Sequence, residues 1–270
     1  METIPNSEIP NLPEQFDDKK KAFFRHLGFS VREALKLHKE AGLWAKKEGK
    51  RNWGNVSEHC LVEVARADVL ADKLNLPEDI KRDLIIAAAL HDFFKKGEQK
   101  IVSAEGLTWA SFEKASQEST RQMRETGFNE RTIHLANSVG HGSLLETENV
   151  LNKDSLSPED IAYLVLHYVD DYSIGSNWAN PNELSSDGNQ INDLDRRMNK
   201  NEANERYAQL NQKGKKYFNG ATTFGMQRRI GHLIEERLAT LIAERTGQVI
   251  DVKNLPQLVD AAIKTKIEEF

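Results

Sequence analysis

Cysteine is nearly absent from this chain. Among 270 residues there is one, Cys60, together with only seven prolines and 7% aromatic residues. A single cysteine excludes an internal disulfide and a thiolate zinc knuckle, and it suits a reducing compartment. No apolar stretch approaches the roughly 18 residues that a membrane span needs. The segment from Met1 to Glu14 is polar and acidic, without the basic-then-apolar order of a secretory signal. A cytoplasmic protein with no membrane partner is the expectation. Excess positive charge is missing too: 37 Lys and Arg stand against 42 Asp and Glu, for a net charge of −5. That excludes general, charge-driven nucleic-acid binding, yet a small phosphorylated ligand needs only a local basic patch. Strict period-two alternation is also lacking, so strands are not expected.

What the chain does contain is helical periodicity. With 39% hydrophobic and 29% charged residues it can build a substantial core. Residues 1–18 carry three of the seven prolines and read as a loose arm. Phe23, Phe24, Leu27, Val31, Leu35, Leu43 and Trp44 recur at helical intervals, with a break at Gly28. The basic stretch Lys46 to Arg51 reads as a linker. A second stripe (Leu61, Val62, Ala65, Val69, Leu70, Leu74) follows a cap expected at Asn55 or Ser57. Pro77 sits where a third helix starts. Further helices are predicted over Trp109–Thr126, ending at Gly127, and from Glu130 to about Val139. Ser157-Pro158-Glu159-Asp160 has a capping residue, proline in the first turn and acids after it, which marks another start. Residues 175–193, rich in Asn, Ser, Asp and Gly, read as a loop. Helical spacing resumes over 194–247, where Asp193–Lys216 is read as a solvated face, and again from Leu255 to Phe270. The fold class predicted is all-α.

Two of these helices end an apolar run in polar groups. Leu84-Ile85-Ile86-Ala87-Ala88-Ala89-Leu90 leads into His91-Asp92, and Ile161 to Val169 leads into Asp170-Asp171. Polar groups at the ends of buried helices need partners. A hydrogen-bonded core pair satisfies a lone His-Asp dipeptide. A divalent cation satisfies two such helix ends at once, and His59, on the stripe that includes Cys60, Leu61 and Val62, offers a further nitrogen. Mixed nitrogen and oxygen donors favour transition metals over calcium. Cys60 itself reads as a small core residue.

In order and context these elements resemble the HD-domain metal-dependent phosphohydrolase superfamily, whose pattern is His, then His-Asp, then Asp on a helical bundle. The phrases concerned are Asn55-Val56-Ser57-Glu58-His59-Cys60-Leu61, Ala88-Ala89-Leu90-His91-Asp92 and Tyr168-Val169-Asp170. They are spaced by 32 residues from His59 to His91 and by 78 from Asp92 to Asp170. The resemblance spans roughly residues 50–175. It implies an HD core over 51–175, preceded by an arm and helix (1–50) and followed by a loop and helical extension packed on the core (176–270). It implies a divalent metal (manganese, iron, cobalt, nickel, zinc or magnesium) held by His59, His91, Asp92 and Asp170, with Asp171 the alternative to Asp170.

The same resemblance implies catalytic roles for Asp92, Lys95 and His141. Lys95 stands three residues after Asp92 and is expected to neutralise a bound phosphate. His141 is expected to offset charge on the leaving group or to help hold a second metal. Two-metal members have another His near where Ala115 to Ser119 stands here, and Glu118 is the substitute considered. Arg51, which precedes His59 as an arginine does in nucleotidase branches, is expected with Lys95 to bind substrate. As plain residues, Lys95 reads as a surface lysine and Arg51 as part of a basic linker. The function implied is hydrolysis of a nucleotide or other small phosphoester. Rival readings are a nucleotide-binding or signalling module without turnover, and an iron-dependent oxygenase of the same fold. The extension leaves a lid, extra core helices or a homodimer interface open.

Overall fold

The computed structural model describes residues 18–27, 29–43, 53–173 and 193–270. Among them are thirteen α-helices and no strand, so the protein is all-α. The loose arm (save Asp18, which opens a helix), Gly28, the basic linker with Arg51, and the expected loop at 175–193 (save Asp193, which opens another) lie outside the described residues.

The centre is built from α3 (Gly54–Lys73), α4 (Glu78–Leu90) and α9 (Pro158–Tyr172), each packed on the other two. Their composition explains it. Every residue of α4 from Asp83 to Leu90 is buried, as is every residue of α9 from Ile161 to Tyr172. Each fully buried Leu, Ile or Val contributes about 1.5–3 kcal/mol of transfer free energy, and helices apolar on all sides can only sit inside. α9 starts as its sequence demands. Ser157 accepts from the Asp160 N–H, the Asp160 carboxylate accepts from the Ser157 N–H, and Pro158 fills the first turn. α4 stops at Leu90, with His91 capping it and its N–H bonded to Ala87 O.

Around this centre lie α1 (Asp18–His26) and α2 (Phe29–Glu40), then α5 (Lys95–Glu105), α6 (Trp109–Thr126), α7 (Glu130–Ala136) and α8 (Leu144–Leu151). α6 ends as expected at Gly127, whose φ of 93° requires the left-handed region. Two expected helix boundaries are corrected. Neither Asn55 nor Ser57 caps α3. That helix begins at Gly54 with no side-chain cap, and Ser57 lies inside it, bonded at 3.0 Å to His38 Nδ1. The Ser57 hydroxyl satisfies a buried imidazole instead of a helix end. α7 stops at Ala136, short of Val139, because Ser138 O is turned inward to His167 Nδ1 at 2.8 Å. α5 and α8 were not foreseen. Their polar, glycine-interrupted or short sequences carry little periodic signal, and burial against neighbours stabilises them.

The remaining helices are α10 (Asp193–Glu202), α11 (Ala208–Tyr217), α12 (Thr223–Thr246) and α13 (Leu255–Glu268). α10 and α12 pack on α9, and α13 packs on α3 and α1. Lys266 of α13 pairs with Asp68 and Asp72 of α3, which also hold Lys81. α10 therefore has an inward side, with Leu194 and Met198 buried, and is not a purely solvated face. No helix among the described residues is long and apolar enough to cross a membrane.

α11 and α12 meet at Gly214. A Cβ there would stand 2.3 Å from the Thr223 backbone N and 2.8 Å from its Cα. Helix propensity favours alanine over glycine by about 0.8–1.0 kcal/mol, whereas overpacking against backbone costs about 1–3 kcal/mol. The Gly214→Ala protein is thus expected to melt at a lower temperature than wild type. A higher melting temperature would refute the close approach.

Candidate metal centre

α3 places His59 and Glu63 one turn apart on the same inward face. The end of α4 delivers His91, and the last turn of α9 delivers Asp170. One ligand atom from each of these four residues lies within 4.8 Å of the other three. His59 Nε2 is 2.7 Å from Glu63 Oε1 and 3.5 Å from Asp170 Oδ1. His91 Nε2 is 4.0 Å from Asp170 Oδ1, and the two imidazole centroids are 5.5 Å apart. Ligands about 2.1 Å from one ion stand about 3 Å apart when adjacent and about 4 Å when opposite, so these spacings fit a single cation.

The hydrogen-bond state of the donors fits one as well. His91 Nδ1 bonds Ala88 O at 3.0 Å, which sets the proton on Nδ1 and leaves the Nε2 lone pair. That Nε2 is buried with no hydrogen-bond partner, as are both carboxylate oxygens of Glu63. Glu63 instead faces both imidazoles at ion-pair distance, with Oε1 2.7 Å from His59 Nε2 and Oε2 3.2 Å from His91 Nδ1. Leaving the buried His91 nitrogen without a partner costs about 1–3 kcal/mol, and a buried carboxylate facing only imidazoles has room for more positive charge. A divalent cation among them removes that cost.

Electrostatics agree. Burial opposes charge on His59, but Glu63 and Asp170 outweigh it and push the imidazole up to about 10. Burial likewise opposes charge on Asp170, and Arg197 leads the groups that nevertheless hold its carboxyl well below the usual range. The centre carries negative charge that attracts a cation, and a metal would displace the His59 proton.

Of the residues expected from sequence, His59, His91 and Asp170 converge, and Glu63 joins them. Asp92 stands beside this group and outside it. Its Oδ2 is 3.9 Å from His91 Nε2 and its Oδ1 is 3.3 Å from Lys95 Nζ. Burial opposes ionisation of Asp92, but Lys95, then His91 and His59, bring it down to about 2. Lys95 is held well above the ordinary lysine value, chiefly by Asp92. Asp171 faces away from the centre, accepting from Gln227 Nε2 at 2.5 Å and lying 3.4 Å from His167 Nε2, so Asp170 is the one that joins the cluster.

His141 lines the same cavity, edge-on to Phe224 and Phe112 with ring centroids 5.3 and 6.5 Å away. Burial, with Lys95 and Arg197 nearby, lowers it to about 4. At pH 7 that leaves a neutral imidazole, which can act toward a ligand through a hydrogen bond. Glu118 is corrected outright: it pairs with Arg121 and Gln122 on the outer side of α6. Arg51 lies outside the described residues.

Two residues were not anticipated. Glu63 had a readable signal, a carboxylate four residues after a histidine on an otherwise apolar helix face, where charge is rarely buried without a partner. Arg197 had none. It reaches from α10 to Asp170 Oδ1 at 3.0 Å and to Ser173 O at 3.3 Å.

The cluster opens onto a cavity of about 890 Å³ lined by Lys95, His141 and Arg197 as well as the aromatic Trp109, Phe112 and Phe224. That is the size and mixed character of a small-molecule site. Comparison with protein-family models, with curated proteins and with solved structures finds no match to this chain.

Proposed function

We propose that this protein is a metal-dependent phosphohydrolase acting on a nucleotide or another small phosphoester, as its resemblance to the HD-domain superfamily implies. The supporting observation is one cavity that joins a His59, Glu63, His91 and Asp170 cluster to Lys95 and His141. A divalent ion held by the cluster supplies Lewis acidity toward water and toward a phosphoryl oxygen. Asp92, ionised and 3.9 Å from His91 Nε2, is placed to orient water and take its proton. Lys95 Nζ, held beside Asp92, presents positive charge to a phosphoryl oxygen. His141, neutral, donates a hydrogen bond toward the leaving oxygen. The aromatic side chains across the cavity offer a planar group a stacking surface.

The test is phosphate release from nucleoside mono- and triphosphates and from p-nitrophenyl phosphate, with the protein loaded in turn with manganese, cobalt, nickel, zinc, iron or magnesium. Metal-dependent turnover is expected. Asp92→Ala is expected to lower kcat by about a hundredfold or more. A fully loaded protein inert toward every substrate would overturn the reading, and undiminished activity in Asp92→Ala would remove Asp92 from it.

A further inference from the structure

The wall of the cavity opposite the sequence-predicted motifs comes from the C-terminal helices: Arg197 and Asn201 of α10, Tyr207 just before α11, and Phe224 and Gln227 of α12. Arg197 is the one cation in this set. Its Nη1 does all the anchoring, donating to Asp170 Oδ1 at 3.0 Å, to Ser173 O at 3.3 Å and to Asp170 O. Among the described residues Nε and Nη2 bond nothing, and a quarter of the side chain is exposed, within the cavity. A guanidinium has five N–H donors in a rigid fork. Here part of the fork is fixed on a carboxylate of the metal cluster, and the rest has no partner among the described residues and lies at the cavity surface.

We propose that Arg197 is an oxyanion-binding residue: Nε and Nη2 receive a tetrahedral phosphoryl group seated at the metal cluster, while Nη1 holds Asp170. Three features of the site assign this role to a residue of α10. The anion would sit one carboxylate away from Arg197, because Asp170 Oδ1 touches Nη1 and lies 3.5 Å from His59 Nε2. Lys95 approaches from α5 and is already engaged by Asp92 and Glu98 at 3.3 and 3.4 Å. His141 is neutral. Beside the charge of Lys95, a dianionic phosphate therefore meets in Arg197 a pair of charged donors that is uncommitted among the described residues. The extension is then part of the binding site and sets which anions it accepts. The identity of the anion rests on the phosphohydrolase reading; the donor geometry does not.

The full chain, loaded with Mn²⁺, is titrated with inorganic phosphate in a calorimeter as wild type, Arg197→Lys and Arg197→Gln, and Mn²⁺ affinity is measured separately for each. A lysine keeps the charge beside Asp170 but cannot bridge two acceptors. Arg197→Lys is expected to retain Mn²⁺ affinity while its phosphate Kd rises about tenfold or more. Arg197→Gln is expected to lose more, with helical content checked by circular dichroism; if it misfolds, the lysine variant decides. Equal phosphate affinity in wild type and Arg197→Lys overturns the proposal. So does a fall in Mn²⁺ affinity that accounts for the whole phosphate loss, since Arg197 would then only position Asp170. Wild-type protein that binds Mn²⁺ and no phosphate overturns it as well. Phosphate binding that depends on Arg197, in a protein that hydrolyses no phosphoester, supports the proposal while removing the hydrolase reading.

Discussion

The Asp170→Asn protein is expected to purify without metal, whereas Asp171→Asn keeps the wild-type metal content. The two positions are adjacent, and their environments are opposite. Asp170 Oδ1 stands 3.5 and 4.0 Å from the Nε2 atoms of His59 and His91. Asp171 is turned toward Gln227 and His167. Removing a group that only orients a ligand typically lowers metal affinity about 10–100-fold, so loss of a ligand carboxylate is expected to exceed a hundredfold. Any hydrolytic activity falls with it. Glu63→Gln, which removes a buried charge without changing shape, is expected to weaken binding by at least about tenfold. Elemental analysis and Mn²⁺ titration read both effects. Wild-type metal content in Asp170→Asn would disprove the centre as described.

A second readout comes from pH. In the metal-free protein the His59 imidazole is raised to about 10 from an ordinary 6.5 by Glu63 and Asp170, against the effect of burial. The folded state then binds a proton that the unfolded state releases at lower pH. Its stabilising contribution is complete below about 6.5 and disappears as pH rises toward 10. Metal-free protein should lose stability steadily across that window. Metal-loaded protein, in which His59 is already deprotonated, should not show this loss, and thermal melts at several pH values distinguish the two.

Arg66→Ala is expected to destabilise the fold by about 3–5 kcal/mol, lowering the melting temperature by roughly 6–20 °C. Arg66 is 4% exposed and lies on α3. Its Nη1 donates to Tyr172 O at 2.9 Å and Ser173 Oγ at 2.8 Å, and its Nε is 3.4 Å from Asp260 Oδ1 of α13. Helix C-termini leave carbonyls without intrahelical partners, and the end of α9 is buried, so Arg66 and Arg197 between them satisfy Asp170 O, Tyr172 O and Ser173 O. Truncating Arg66 strands both a carbonyl and the Asp260 carboxylate. Asp260→Asn is expected to cost far less, because burial already pushes the Asp260 carboxyl up toward its neutral form. The last turn of α9 also carries Asp170, so Arg66→Ala should weaken metal binding as well. A melting temperature within a degree or two of wild type would contradict this account of how α9 is anchored.

Local sequence determined much of this protein. The all-α class, the start of α9 at Ser157-Pro158 and the end of α6 at Gly127 follow from periodicity and capping chemistry within a few residues of each position. The apolar runs before His91 and before Asp170 could only be buried helices, which brings polar groups to the core on two separate elements. Glu63 was legible in principle, one turn after His59 on a buried face.

Other features depended on packing between segments far apart in the chain. The choice of Asp170 over Asp171 turns on which way a helix faces once α3 and α12 are in place. Ser57 became a partner for His38 because α2 packs beside it. Neutrality of His141 results from burial beside Lys95 and Arg197. Arg197 itself reads locally as one more charge on a polar helix. Only when Leu194 and Met198 seat α10 on α9 does its guanidinium reach Asp170, 27 residues away in sequence. Periodicity reports which side of a helix is buried. It does not report which other helix will cover that side, and at this site the covering helix supplies part of the chemistry.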